Sequence, residues 1–248
     1  MKPSAHMSTS PQNAQQALPT HIAVIMDGNG RWAQSRGLPR STGHKKGADS
    51  LRSTMNACRD VGVRYLTIYA FSAENWKRPT DEISDLMSLL KHYLQNELDT
   101  LHQNGVRMRF IGDLSRLSAD IREQAQEAME MTKRNTAFNL TVALSYGARQ
   151  EIARAMKKLA AQVKDGTLAV EDINEERIEA ALDTAGLPEP DLLIRTGGEH
   201  RLSNFLLWQS AYTEFYFTPV LWPDFDKQHF TQAMQDYSQR ERRYGTTS

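Results

Sequence analysis

His21-Ile22-Ala23-Val24-Ile25-Met26-Asp27-Gly28-Asn29-Gly30-Arg31-Trp32 is the stretch that decides the fold. A short apolar run that stops at an acid and two glycines reads as a strand buried on both faces. Such a strand needs parallel neighbours and helices above and below it. Downstream, a helical pattern covers 44–61 with Ala48, Leu51, Met55 and Cys58 on one stripe, and ends at Gly62, an expected left-handed cap. A β-branched and aromatic run at 63–71 predicts the next strand, and 72–80 a loop. The pattern continues with a long helix at 81–104, a strand at 106–111, a helix at 118–134, a strand at 138–145 and a helix at 148–164. A short acidic helix at 174–184 follows, then the breakers Pro188 and Pro190, strands at 191–195 and 213–217, and a polar helix at 226–243.

Strands alternating with helices predict an α/β fold: a single domain with a central, mainly parallel six-stranded sheet flanked by helices. Upstream, residues 1–20 are rich in Ser, Gln, Ala and Pro without periodicity and read as a disordered N-terminal segment. Met7 follows Ala5-His6, which makes residues 1–6 a candidate expression scar. The domain itself is expected over 21–245.

Composition bounds the function. Thirty Lys and Arg balance thirty Asp and Glu across 248 residues, which argues against a dedicated nucleic-acid binder. A single cysteine, Cys58, cannot form an internal disulfide, so a reducing, cytoplasmic setting is expected. No apolar run approaches the roughly 18 residues that a membrane span needs.

In a parallel α/β sheet, ligands bind beyond the carboxyl ends of the strands. Three unusual polar clusters stand at those ends. The first is Asp27-Gly28-Asn29-Gly30-Arg31-Trp32. Its glycines let the backbone approach a ligand, and Arg31 with a helix start near Trp32 makes a diphosphate cradle. Asp27 has the wrong sign for that cradle unless a cation such as Mg²⁺ sits between carboxylate and phosphate. The spacing is neither Walker A nor GxGxxG. The bland alternative is a tight turn with a surface aspartate. Arg40 and His44 lie downstream, His44 at the expected start of a helix; either could equally be an exposed polar residue.

The second cluster is Ser72-Ala73-Glu74-Asn75-Trp76-Lys77-Arg78-Pro79. Pro79 holds Arg78 extended, so that Ser72, Asn75 and Arg78 can aim inward. Trp76 would cover a ligand's hydrocarbon portion or pack in the core. The third is Arg195-Thr196-Gly197-Gly198-Glu199-His200-Arg201-Leu202-Ser203-Asn204. Two arginines around a Gly-Gly hinge make a second anion site, unless Glu199 and His200 hold them in a salt-bridge network. Finally, helix 81–104 carries Ile83, Leu86, Met87, Leu89, Leu90, Tyr93, Leu94, Leu98 and Leu101, an apolar face wider than one packing stripe uses. It either lines an apolar channel or is a deeply buried core helix.

With these clusters in order, the chain resembles the cis-prenyltransferases of the undecaprenyl diphosphate synthase type. The likeness is carried by 21–32, Gly43-His44-Lys45, 69–79, 194–209, 221–225 and the Arg-Glu-Arg-Arg of 240–243. The resemblance implies a homodimer with a hydrophobic tunnel beside the sheet, farnesyl diphosphate and isopentenyl diphosphate as substrates, Mg²⁺ as cofactor, and peripheral membrane contact for product release. It implies Asp27 as the Mg²⁺-linked carboxylate and Asn75 as a second catalytic position. Gly28, Asn29, Gly30, Arg31, Arg40 and His44 would hold the allylic diphosphate. Arg195, Arg201 and Ser203 would hold the isopentenyl diphosphate, with Ser72, Glu74, Asn75, Trp76 and Arg78 lining the reacting region. Trp32, Ala73 and Leu202 would be further substrate-binding positions. His200 and Glu214 would stand near the metal, and Leu86, Leu89 and Phe138 along the tunnel. Competing readings are an Asp27- and Mg²⁺-dependent phosphate-ester hydrolase and a catalytically dead partner of a prenyltransferase.

Overall fold

The computed structural model describes residues 18–240. The expected disorder of 1–17 and the last residues of the 240–243 motif lie outside that range. Six strands form one sheet: β1 (His21–Ile25), β2 (Tyr65–Ser72), β3 (Val106–Ile111), β4 (Phe138–Tyr146), β5 (Leu192–Arg195) and β6 (Glu214–Phe217). Their order is β3-β4-β2-β1-β5-β6, and each neighbouring pair is parallel.

Seven helices cover the sheet: α1 (Asn29–Gln34), α2 (Arg40–Val61), α3 (Thr80–Gln103), α4 (Ala119–Thr132), α5 (Ala148–Lys164), α6 (Glu175–Ala181) and α7 (Lys227–Ser238). Alternation along β1 shows how both faces are used. Ile22 and Val24 enter a large core with Met55 and Cys58 of α2, Leu94 of α3, Ile121 of α4 and Phe230 of α7. Ala23 and Ile25 face a thinner core built with Ala148 of α5, Phe205 and Leu206.

Element boundaries explain two departures from the sequence pattern. α2 begins at Arg40, directly after Pro39, four residues before the start that the pattern gives, because its first turn Arg40-Ser41-Thr42-Gly43 carries no large apolar side chain and buries only Gly43. The 72–80 loop contains a 3₁₀ turn, Ala73–Lys77. Gly62 does cap α2, with φ of 88°.

The chain leaves β1 toward β2 on one side of the sheet, and leaves β5 toward β6 on the other. The β1/β5 boundary is therefore a topological switch point, where the two connections part and leave a crevice at the carboxyl ends. The register Ile25↔Arg195 places the residue after Met26 and the end of β5 together there.

Candidate active site

At that crevice the first and third clusters meet. Asp27 Oδ2 accepts from Arg195 Nη2 at 2.9 Å, and its Oδ1 lies 3.1 Å from Arg31 Nη2. The Arg195 side chain is only 4% exposed, against 30% for Asp27. A guanidinium this dry needs an anionic partner, and Asp27 supplies it. Arg195 Nη1 also donates to Ser203 Oγ at 2.7 Å and to the Arg201 carbonyl. Arg31 Nη1 donates to the Gly197 carbonyl at 2.7 Å, which locks the first cluster against the third.

Glycine makes this contact possible in two ways. Gly28 caps α1 with φ of 111°, and a Cβ there would sit 2.8 Å from Leu221 Cδ2. Gly197, with φ of 84°, leaves room for Arg31 Nη2, which a Cβ would meet at 2.5 Å. The first backbone hydrogen bond of α1 runs from Trp32 N–H to Gly28 O at 2.9 Å, so the amides before it belong to an open helix start. The Arg40 guanidinium lies over Gly30, within 2.8 Å of where a Cβ would be.

The second cluster forms the facing wall. Ser72 Oγ accepts from Asn75 N–H at 3.2 Å, while Asn75 Oδ1 accepts from Ser72 N–H at 3.0 Å. This reciprocal cap fixes the Asn75 side chain. Arg78 is extended before Pro79 and donates to Glu82 Oε1 at 2.8 Å; Arg40 Nη2 approaches the same oxygen at 3.4 Å. His44 lies in the second turn of α2 rather than at its start. Burial, then the Arg78 guanidinium and, more weakly, Arg40, lower its pKa to about 4, although Glu82 opposes them. His44 Nε2 and Arg195 Nε are buried with no hydrogen-bond partner. Unpaired buried nitrogens of this kind ask for an explanation, and both belong to residues on one cavity.

That cavity, about 810 Å³, has two characters. Its mouth is polar, with Asp27, Asn29, His44, Ser72, Glu74, Asn75, Arg78, Arg195, Arg201 and Ser203. Its interior is mainly apolar and runs between the sheet and helices α2 and α3, with Arg52 and Glu97 paired at 3.0 Å on its lining. Leu86 and Leu89 line it, with Leu51 and Met55 of the α2 stripe and with Met108, Phe110, Leu140 and Val142, which the sequence pattern did not assign to a channel. Leu94 is the buried residue of α3, and most of the helix's broad apolar face, from Leu86 to Leu101, borders this space.

Several expected residues do not border it. Phe138 is fully buried and pairs with Val106, one pleat beyond Leu140 toward the amino end of the sheet, so it belongs to the core rather than the cavity wall. The Trp76 ring turns to Phe71 at 5.0 Å and to the Arg116 guanidinium at 4.8 Å, and its Nε1 donates to Ser145 Oγ at 2.9 Å. Trp32 Nε1 donates to Asp224 Oδ1 at 2.7 Å beneath Arg36. Leu202 packs on the thinner core, and Ala73 opens the 3₁₀ turn. The three metal candidates are not brought together. The His200 ring stacks on Phe217 at 5.0 Å. The register Leu192↔Glu214 puts Glu214 at the opposite end of β6, where it accepts from Arg240 at 2.8 Å. Among the described residues no group of three His, Cys, Asp or Glu is placed to hold an ion.

Two residues outside the expected set complete the frame. Thr196 Oγ1 donates to the Asp27 carbonyl at 2.7 Å. Trp222 Nε1 donates to the Gly47 carbonyl at 2.7 Å, where α2 passes so close that a Cβ on Gly47 would strike Asn29 Oδ1 at 2.2 Å.

The fold and this site define an α/β enzyme whose cationic mouth opens on a hydrocarbon-shaped interior. The model of the undecaprenyl diphosphate synthase family, Prenyltransf, matches residues 25–245. The chain is 52% identical over 235 residues to an isoprenyl transferase of Agrobacterium fabrum, covering 95% of each protein. Lavandulyl diphosphate synthase from Lavandula x intermedia, solved in complex with dimethylallyl diphosphate, superposes with a TM-score of 0.90 at 37% identity, covering 92% of this chain and 99% of that one. A probable undecaprenyl diphosphate synthase from Campylobacter jejuni gives 0.77 at 38% identity over the same shares. The chain belongs to the undecaprenyl diphosphate synthase family and is a prenyltransferase.

Proposed function

We propose that this enzyme condenses isopentenyl diphosphate units onto farnesyl diphosphate, with Mg²⁺, to give undecaprenyl diphosphate, the lipid-carrier precursor for cell-wall polysaccharide. We further infer a cytoplasmic homodimer that touches the membrane peripherally when product leaves. The observation that carries the reading is one cavity of about 810 Å³ with Arg78, Arg195 and Arg201 at its mouth and a mainly apolar interior, where the charged Arg52 and Glu97 pair with each other at 3.0 Å. A phosphomonoesterase needs only the mouth, so the long interior disfavours the hydrolase reading.

In this reading Arg31, Arg40, His44 and the Gly28–Gly30 backbone receive the allylic diphosphate, and Arg195, Arg201 and Ser203 the isopentenyl diphosphate. Asp27 lies between the two. Its oxygens are hard donors on the cavity, and Mg²⁺ takes one or two carboxylates together with substrate phosphates, which fits a site without a three-residue cluster. When bound, Mg²⁺ would neutralise charge on the diphosphates. The carbon–oxygen bond of the allylic diphosphate breaks with its electron pair going to the leaving diphosphate, whose charge the arginines stabilise. The isopentenyl double bond attacks that carbon, and a proton leaves to form the new cis double bond. Asn75 is a neutral amide whose Oδ1 is already engaged by Ser72 N–H, so it positions the reacting groups and a substrate phosphate oxygen takes the proton. The neutral His44 can donate Nε2–H to phosphate. Each five-carbon unit entering the interior gains about 4 kcal/mol, at ~0.8 kcal/mol per buried carbon, and this favours elongation until the space is full.

The test is incubation with both diphosphates, with and without Mg²⁺, followed by sizing of the product. Long polyprenyl diphosphate and one inorganic pyrophosphate per addition are expected. Inorganic phosphate from simple phosphomonoesters, without prenyl product, would replace this reading with the hydrolase.

A further inference from the structure

Beside the Ser203 of the third cluster stands Asn204. The backbone there is unusual: Ser203, Asn204 and Leu206 have φ of 50°, 64° and 44°. Left-handed conformations are uncommon for residues other than glycine, and a group of them persists only where the surroundings hold it. The Asn204 side chain supplies much of that hold. Its Nδ2 donates to Glu74 Oε1 at 2.8 Å and to Gln150 Oε1 at 2.9 Å. Its Oδ1 accepts from the Arg149 N–H at 2.9 Å, and its carbonyl accepts from the Ala148 N–H at 2.8 Å. Both amide donors and the carbonyl oxygen are thus engaged, by the 3₁₀ turn on one side and the first turn of α5 on the other.

Room is kept for this junction. Gly147 has no Cβ where one would lie 2.6 Å from Asn204 Nδ2. On the cavity side, Ser203 Oγ accepts from Arg195 Nη1, and the Ser203 carbonyl accepts from the Tyr69 hydroxyl at 3.3 Å. Displacing Asn204 would therefore shift Ser203 relative to Arg195 and release Glu74 from its present direction.

We propose that Asn204 is a positioning residue for the isopentenyl diphosphate site. It locks the left-handed 203–204 backbone so that Ser203 and Arg195 face one diphosphate, and it ties that arm to Glu74 across the mouth. The proposal rests on the reading of the third cluster as the isopentenyl diphosphate site. Asparagine suits the role twice: it tolerates left-handed backbone, and it presents donors and an acceptor together. Aspartate would keep the backbone and the Arg149 contact but turn a carboxylate oxygen on Glu74. Glycine would keep the backbone alone.

The experiment is steady-state kinetics on Asn204→Gly, Asn204→Asp and Asn204→Asp with Glu74→Gln, each checked by thermal melting. Asn204→Gly is expected to raise KM for isopentenyl diphosphate about tenfold, the scale of a lost hydrogen bond to a charged group, and to change KM for the allylic substrate less than about twofold. Asn204→Asp should raise the same KM and make it fall again as pH drops, because two carboxylates in contact share a proton. In the double variant, compared with Glu74→Gln alone, that pH dependence should disappear. A merely structural role would move Tm and both KM values together. Unchanged isopentenyl diphosphate KM in Asn204→Gly and Asn204→Asp, or parallel changes for both substrates, would overturn the proposal. If the unmodified enzyme forms no prenyl product from the two diphosphates, the underlying site reading falls, and this proposal with it.

Discussion

His21 begins β1 at the amino end of the sheet, whereas His44 lies in α2 beside the crevice at its carboxyl end. Burial lowers both rings to a pKa of about 4. Their hydrogen bonds differ. His21 Nδ1 lies 2.7 Å from the Pro188 carbonyl, which can only accept, so Nδ1 carries the proton; Nε2 then accepts from Thr67 Oγ1 at 2.7 Å. Both nitrogens are satisfied. His44 Nε2 is buried without a partner, near Arg78 and Arg40, whose guanidiniums both reach Glu82 Oε1. The contrast separates a polar group that finishes the fold from one held ready for a ligand. His21 borders a smaller cavity of about 260 Å³ with both ring nitrogens satisfied, whereas His44 borders the larger one with a buried nitrogen left unpaired.

The strongest way to break that contrast is at Asp27. Asp27→Ala should lose stability, because it strips the buried Arg195 of its anionic partner, yet still fold, since Ser203 and the Arg201 carbonyl continue to accept from that guanidinium. Activity should fall by roughly 10³-fold or more, the scale of losing a main electrostatic stabiliser. Circular dichroism with product assays at saturating Mg²⁺ checks both halves. Near-normal turnover would remove Asp27 from the chemistry.

Next come the two anion arms. Arg195→Ala should raise KM for isopentenyl diphosphate roughly 10- to 100-fold, the scale of charge-assisted contacts, while Arg40→Ala acts mainly on the allylic substrate. Initial rates with each substrate varied in turn decide it. If Arg195→Ala weakened only the allylic substrate, the assignment of the arms would be reversed.

The histidines themselves give a smaller and cleaner pair. His21→Ala should cost about 1–3 kcal/mol of stability by stranding Thr67 and the Pro188 carbonyl, with kcat per folded molecule unchanged. His44→Ala should change Tm little and raise the allylic KM severalfold. The pH dependence has a definite sign. The folded rings protonate near 4 and the unfolded ones near 6.5, so between those values the unfolded chain binds more protons. Stability from this source is full above pH 6.5 and is lost as pH falls toward 4. Urea midpoints of the unmodified chain and His21→Gln at pH 7 and pH 5 should show a smaller drop in the variant.

Much of the fold was legible because buried parallel strands have short apolar runs with sharp polar ends. The strand at 106–111 and the helix at 148–164 match the structure residue for residue. The clusters were legible because polar residues and glycines interrupt those runs at one end of the sheet. Less legible was anything set by side-chain direction. Trp76 and Trp32 stand beside the site in sequence, yet each ring turns to a partner far along the chain, Ser145 and Asp224. Glu214 shares a strand with residues at the crevice, but four residues of parallel register carry it to the far end. Thr196 and Trp222 were missed because their work is a single hydrogen bond to a distant backbone carbonyl, which has no local pattern.

The smallest effect tests the wall between the two ends. Leu89 borders the cavity, whereas Phe138 shares the face of Leu140 on β4 but lies one pleat, roughly 6–7 Å, deeper toward the amino end of the sheet. A bulkier residue at Leu89 intrudes on space that a growing hydrocarbon would occupy, without touching the diphosphate contacts. Leu89→Trp should therefore leave the first condensations close to their normal rate and shift the product distribution to shorter chains. Because Phe138 is fully buried, Phe138→Trp should instead overpack the core at about 1–3 kcal/mol and leave product length unchanged in the folded fraction. Thermal melting separates folding damage from steric block, and chromatography of dephosphorylated products reads chain length. Shortening by Phe138→Trp, with no change from Leu89→Trp, would place the end of the channel beyond Leu140 and extend the open region into what the structure shows as core.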